Sequence, residues 1–290
     1  DPDQNNQRVR QNILNAGIYA QLQTKLFTGF ELMAGLRLDN ATYFNKGNFS
    51  QLVYDELGLR TDNGLSTFQI QPRVQITWDF NDKHTDILRI GGGIFASDIN
   101  NYAMINNMVF DGTKVMSVDI KNTEEEPDIV PTPDFIGYRK DPSTAPGIDL
   151  LNNPKYADKA VPTINMNSKD AKVPVVYKAN ISYTHFFSDR LKMSVSGYMT
   201  LGRNNYMYID RNMVDDPYFR LSAEGNRGIY VPASTIGKDG TLDWMEGRKS
   251  TKVGRVLELV SEGKVNQFAF TVDGTWRYYK DGELSFSYTW

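Results

Sequence analysis

Seven charged residues fall at alternate positions inside segments that otherwise alternate apolar and polar side chains. They are Arg37, Asp39, Arg73, Asp79, Arg89, Asp273 and Arg277. Groups of this kind pair with opposite charge and donate or accept hydrogen bonds, and in a partly dry interior they need such partners. A second group is aromatic: Tyr206, Tyr208, Tyr218, Phe219 and Tyr230 lie in or beside one long connection. Their rings can stack on a sugar or a peptide, or they can pack the surrounding loops together. Covalent chemistry has little material. The chain has two histidines, His84 and His185, and no cysteine. It has no phosphate-cradling loop ending in Lys-Ser/Thr, no H-E-x-x-H and no G-x-S-x-G elbow. Gly91-Gly92-Gly93 lies within a strand pattern with no helix after it, so it reads as relief of crowding rather than a nucleotide cradle. We expect no enzyme, no catalytic residue, no cofactor and no metal site.

Composition narrows the classes further. The 290 residues carry 32 Lys plus Arg against 35 Asp plus Glu, a formal charge of −3. That balance supplies no field to gather nucleic acid. Mean hydropathy is −0.48, and no apolar run approaches the ~18 residues of a spanning helix. A transmembrane β-barrel is not excluded, because its strands alternate and look polar on average.

The elements that must position the charged residues have period two. In 67–80, Phe68, Ile70, Pro72, Val74, Ile76, Trp78 and Phe80 alternate with Thr67, Gln69, Gln71, Arg73, Gln75, Thr77 and Asp79. The same alternation runs through 16–26, 30–39, 87–96, 175–187, 190–201, 266–279 and 284–290. A helix would scatter these residues round its circumference. Many of these segments reach ten residues or more, whereas a strand needs roughly 9–11 to cross a bilayer on a tilt. Their polar face is Gln, Thr, Ser, Gly, Asp and Arg, the mixture of a hydrated lumen. Aromatics such as Trp78, Phe80, Phe187, Trp276 and Tyr278 stand near strand ends, where membrane interfaces put them.

Connection lengths alternate. Short turns fall at 27–29, 81–85, 188–189 and 280–283, and long connections at 45–66, 97–174 and 203–264. Outer-membrane barrels have short periplasmic turns and long external loops. With that orientation both chain ends lie outside the cell, and Trp290 comes early in its strand, so a window on a larger barrel is expected. Within the long connections, 107–120 alternates further and 253–260 extends a strand pair above the membrane. The proline-rich 121–174 reads as a folded-over external loop.

Ala34-Gly35-Leu36-Arg37-Leu38-Asp39 is similar to a strand common in the barrels of TonB-dependent outer-membrane receptors. Gln71-Pro72-Arg73-Val74, Leu88-Arg89-Ile90-Gly91-Gly92-Gly93-Ile94-Phe95, Asn204 to Asn212, Arg227-Gly228-Ile229-Tyr230 and Leu284 to Trp290 resemble the Oar-like and SusC-like branch in order and spacing. The resemblance implies an all-β fold. Residues 1–290 would be an antiparallel transmembrane segment of about eight strands in a 22-stranded barrel of a Gram-negative outer membrane. It implies a nutrient importer working by binding and gated passage. The substrate would be a small molecule, glycan, peptide or chelate. The implied partners are membrane lipid, a plug domain of the same polypeptide outside this chain, and the TonB complex through missing N-terminal parts. A surface lipoprotein is a further partner in SusC-like pairs. The seven charged residues would then face the lumen and hold the plug, and the five aromatic residues would contact ligand. Two other readings fit the alternation: a passive porin-like or structural outer-membrane barrel, and a soluble extracellular β adhesin.

Overall fold

The alternating segments become strands of one antiparallel wall. The structure, a computed structural model, describes residues 8–80, 82–97, 101–117, 122, 161–280 and 282–290. In chain order the elements are β1 (Ile13–Phe27), β2 (Phe30–Tyr43), α1 (Gln51–Leu57), β3 (Gln69–Asp79), β4 (Asp86–Ala96) and α2 (Asn101–Val109). They continue with β5 (Asp111–Ser117), β6 (Val161–Asn167), β7 (Val175–Ser188), β8 (Leu191–Asp210), β9 (Phe219–Leu221), β10 (Arg227–Ile229), β11 (Val256–Arg277) and β12 (Glu283–Thr289). Among the described residues no helix is long and apolar enough to cross a membrane.

The wall runs β1-β2-β3-β4-β7-β8-β11, with β12 paired to the lower part of β11. All eight alternating segments are therefore in it, and each neighbouring pair is antiparallel. The register aligns rows across the strands. One row is Ile76, Ile90, Ile181, Gly197 and Phe270. The row beside it on the opposite face is Thr77, Arg89, Ser182, Ser196 and Thr271.

Burial is inverted relative to a protein dissolved in water. Apolar side chains stand out from the wall, with Ile18 69% and Phe268 65% exposed. On the other face Gln71 and Ser196 are only 5% exposed. Hydroxyls bond across the strands there: Thr184 with Ser194 at 3.0 Å, Ser196 with Ser182 at 2.9 Å, and Thr271 with Thr289 at 2.9 Å. The apolar face ends in a ring cluster at the short-turn end. Phe27 stacks on Phe30 at 4.6 Å, and Trp78 meets Phe80 edge-on at 4.7 Å. Membrane-spanning barrels place aromatics near their strand ends, at the headgroup level.

The short turns hold each other. Gly29 takes a left-handed φ of +78° in the β1–β2 turn, and its carbonyl accepts from the Asp79 amide at 2.8 Å. A Cβ at Gly29 would collide with the Asp79 carbonyl, so close approach and backbone sign both require glycine.

At the opposite end the long connections build a folded cap. The sequence reads 203–264 as one long connection. Instead β8 continues to Asp210 and β11 begins at Val256, because the pairs Leu257 with Asp210 through Gly263 with Asn205 extend the ladder. The expected extension at 253–260 is present from Val256 on. The alternation seen at 107–120 divides: Asn107–Val109 close helix α2, and the strand starts at Asp111. Of 121–174, residues 121 and 123–160 lie outside the described part. Val161–Asn167 form β6, which joins β5 and runs parallel to the outer end of β11. Helix α1 is bracketed by Ser50, whose Oγ accepts from the Val53 amide at 3.4 Å, and by Gly58 in the left-handed region. The cap has the dry core that the wall lacks: Val53, Ile164, Met166, Val253 and Val256, with Leu57 and Leu59 against it.

Candidate functional site: the inner face and the external cap

Three of the seven charged residues come together. Arg37 and Asp39 sit two apart on β2, so both point to the inner face. Arg37 Nε donates to Asp39 Oδ2 at 2.6 Å, and Gln71 Nε2 donates to the same oxygen at 2.6 Å. Gln71 passes the chain on: its Oε1 accepts from Arg73 Nη2 at 3.3 Å and from the Ala96 amide at 3.2 Å. The Arg73 guanidinium then lies over the Phe95 ring, 4.5 Å from its centroid. Lys178 Nζ approaches the same ring at 5.9 Å. Arg37, Asp39, Gln71 and Arg73 border a polar recess of about 440 Å³ near the outer end of β1–β4.

The other four are placed differently. Asp79 is a turn clamp: its carboxylate accepts from the His84 amide at 3.0 Å and meets His84 Nδ1 at 2.5 Å. Arg89 is exposed on the inner face between Thr77 and Ser182. Asp273 is half-buried between Ser194 and Ser287. Arg277 pairs with Glu283 at 3.1 Å across the β11–β12 connection. Gln71, Phe95 and Lys178 are the members the sequence reading missed. Their parity on the polar face was legible, but no local signal says that β3 pairs with β4 so that Arg73 meets Gly93.

The five aromatic residues do not form one cluster. β8 beyond Arg203 runs past the roughly 9–11 residues that a strand needs to cross a bilayer. Tyr206 there packs against the cap residues Met104, Val173, Ala103, Ala171 and Leu259. Burial pushes its hydroxyl up to about 12, with Tyr43 and Tyr208 adding to the shift. Tyr208 is about half exposed. Tyr218 and Phe219 belong to the separate β9–β10 hairpin, where the Tyr218 amide donates to the Ile229 carbonyl at 2.8 Å. Tyr230 follows that hairpin.

The cap also holds a cleft of about 1040 Å³. Charges of both signs line it, among them Glu56, Arg60, Lys169, Lys172, Arg211 and Glu258. Several are already paired: Arg211 with Glu258, and Glu56 with Lys252 at 2.6 Å. The Glu56 carboxyl is held below its ordinary value, chiefly by its bonds from Lys252 and Ser250. Among the described residues no three His, Asp or Glu side chains are grouped to hold a metal.

Asp111 ties the cap together and makes it sensitive to acid. Its side chain is fully buried, accepting from the Asn48 amide at 3.0 Å and Thr113 Oγ1 at 2.6 Å, with the Lys114 ammonium beside it. Burial pushes the carboxyl up, but Lys114, Thr113 and the Asn48 and Thr113 amides outweigh it, so the group ends below its ordinary value. A depressed folded value stabilises above the unfolded one and is lost as pH falls through the folded one. Hydrogen-exchange protection at 111–114, corrected for intrinsic rate, should hold down to about pH 5 and fall below about pH 4. Undiminished protection at still lower pH would contradict this role.

No protein-family model matches the chain, and no curated protein matches it in sequence. Solved structures do match. The outer-membrane transporter YddB from Escherichia coli aligns at a TM-score of 0.50 and 11% identity, covering 96% of this chain and 24% of that one. The FrpB iron transporter from Neisseria meningitidis, F5-1 variant, gives 0.47 and 10%, covering 96% of this chain and 26% of that one. The siderophore receptor PirA from Acinetobacter baumannii gives 0.47 and 13%, covering 95% and 27%. The chain thus spans about a quarter of the length of these solved chains. At such identities the likeness is one of fold. The strands described above have the fold of a section of the antiparallel β-barrel wall seen in outer-membrane transporters.

Proposed function

We propose that this chain is part of the barrel of a TonB-dependent importer in a Gram-negative outer membrane, taking up a nutrient by binding and gated passage. The single observation that carries the reading is the inverted wall, apolar outward and polar inward, beneath a cap with its own dry core. The cap captures substrate outside. A plug, elsewhere in the same polypeptide, fills the lumen and is rearranged by TonB. Segment order favours the Oar-like and SusC-like branch, in which glycans and peptides join chelates as substrates and a surface lipoprotein can cover the cap.

The inner-face cations support a plugged lumen rather than an open pore. Arg73 and Arg89 have no carboxylate partner among the described residues, and charges in a partly dry lumen need one. Arg73→Ala combined with Arg89→Ala should loosen the plug while leaving assembly intact. The expected readout is raised leak of a large antibiotic through cells whose barrel still shows heat-modifiable migration. Unchanged leak would count against plug anchoring. Uptake that persists without TonB would replace the importer with a passive barrel. A monomer in water without detergent would favour the adhesin.

A further inference from the structure

We propose that Arg73, Phe95 and Lys178 form a carboxylate-binding site on the lumen wall. The proposal rests on the barrel-wall reading above and goes beyond it in naming the chemical group recognised.

The site is built by register. Arg73 on β3, Gly93 on β4 and Lys178 on β7 are direct cross-strand partners. Gly93 leaves the middle of this row bare. A Cβ there would come within 2.9 Å of the Pro72 carbonyl and 3.0 Å of Arg73 Cγ. The long Arg73 side chain therefore crosses the gap to reach Phe95, two residues further along β4. Lys178 reaches the same ring from the other side. Two cations thus approach one aromatic ring, at 4.5 Å and 5.9 Å from its centroid.

Cation–π attraction offsets part of their mutual repulsion, but it neutralises nothing. The nearest acid in the network, Asp39, is occupied by Arg37 and Gln71. Gln71 gives Arg73 a neutral acceptor only. No carboxylate pairs with Arg73 or Lys178 among the described residues. On β3, β4 and β7, the inner-face rows from Thr77 and Arg89 outward carry Arg73, Arg89 and Lys178 and no acid. The charges on this stretch of wall are all positive. A planar anion fits it: Arg offers a forked pair of donors, Lys a mobile point charge, and both stand beside the one Phe95 ring.

The carboxylate can come from the plug of the same polypeptide or from the substrate in transit. Two readouts on the full-length protein separate these sources. Citrate is titrated calorimetrically at low salt into detergent-purified wild type, Lys178→Gln, Lys178→Arg and Phe95→Leu. Antibiotic leak is measured in cells carrying the same variants. If the site is open to substrate, wild type binds citrate, Lys178→Gln weakens binding about tenfold, the scale of a lost charge-assisted hydrogen bond, and Lys178→Arg restores it. If a plug carboxylate occupies the site, wild type does not bind citrate, Lys178→Gln raises leak, and Lys178→Arg restores the seal. Phe95→Leu, which keeps an apolar side chain but not the ring, should weaken whichever readout responds. Citrate binding indifferent to Lys178→Gln and Phe95→Leu, or no response in either readout, overturns the proposal. Failure of the importer reading would show separately, as uptake independent of TonB, and leaves the titration interpretable.

Discussion

Ile181→Arg is expected to destabilise the barrel in lipid by about 2–4 kcal/mol, the cost of a cation near the bilayer midplane on a lipid-facing strand. Ile181 sits in the middle of the outward row with Ile76, Ile90, Gly197 and Phe270 and is 52% exposed. The expectation depends wholly on what surrounds that face. In water, replacing a half-exposed isoleucine by arginine would change stability by no more than ~0.5 kcal/mol. Asn180→Lys is the control. It lies one residue away on the inner face, and its change should stay within ~0.5 kcal/mol. Denaturant unfolding of the full-length protein in lipid vesicles reads both. Equal, small effects from the two variants would sink the membrane-wall reading.

Ile164→Ala should unfold the cap locally while the wall stands. Ile164 is 0% exposed and lies in the core with Val53, Met166, Val253 and Val256. Large-to-small replacement at such a site costs about 2–5 kcal/mol through lost burial and the cavity left behind. The wall draws on a different source, the backbone ladder, which continues from Leu191 opposite Trp276 to Leu201 opposite Asn266 without touching that core. Hydrogen exchange should therefore lose protection at 51–57, 161–167 and 256–260, with 191–201 and 266–276 unchanged. Parallel loss in both regions would mean that cap and wall unfold as one unit. The distinction matters for function, since a cap that is folded in advance presents its charged cleft without an ordering cost on binding.

Asp79 and Tyr206 show why site roles are harder to read than strands. Both were legible as polar groups in suitable places. Asp79 lies on the inner parity, yet it spends its carboxylate on the His84 turn. Tyr206 lies in an aromatic-rich stretch, yet its ring is packed into the cap. In each case the deciding neighbour is remote in sequence or hidden in a turn whose backbone signs leave no periodic trace: His84 takes a φ of +59°.

The strands and their two faces were determined by the sequence alone. Side chains alternate every residue along an extended chain, so the apolar and polar sets declare themselves locally. The alternation of short and long connections set the polarity of the wall for the same reason, as a count along the chain. What only the tertiary structure decided is which strand residue meets which. Register belongs to a pair of strands, and it alone sets Arg73 opposite Gly93 and Gly93 opposite Lys178. The cap was likewise decided late. Helices of 7 and 9 residues are too short to persist alone in water, and it is burial against β6, β8 and β11 that holds them.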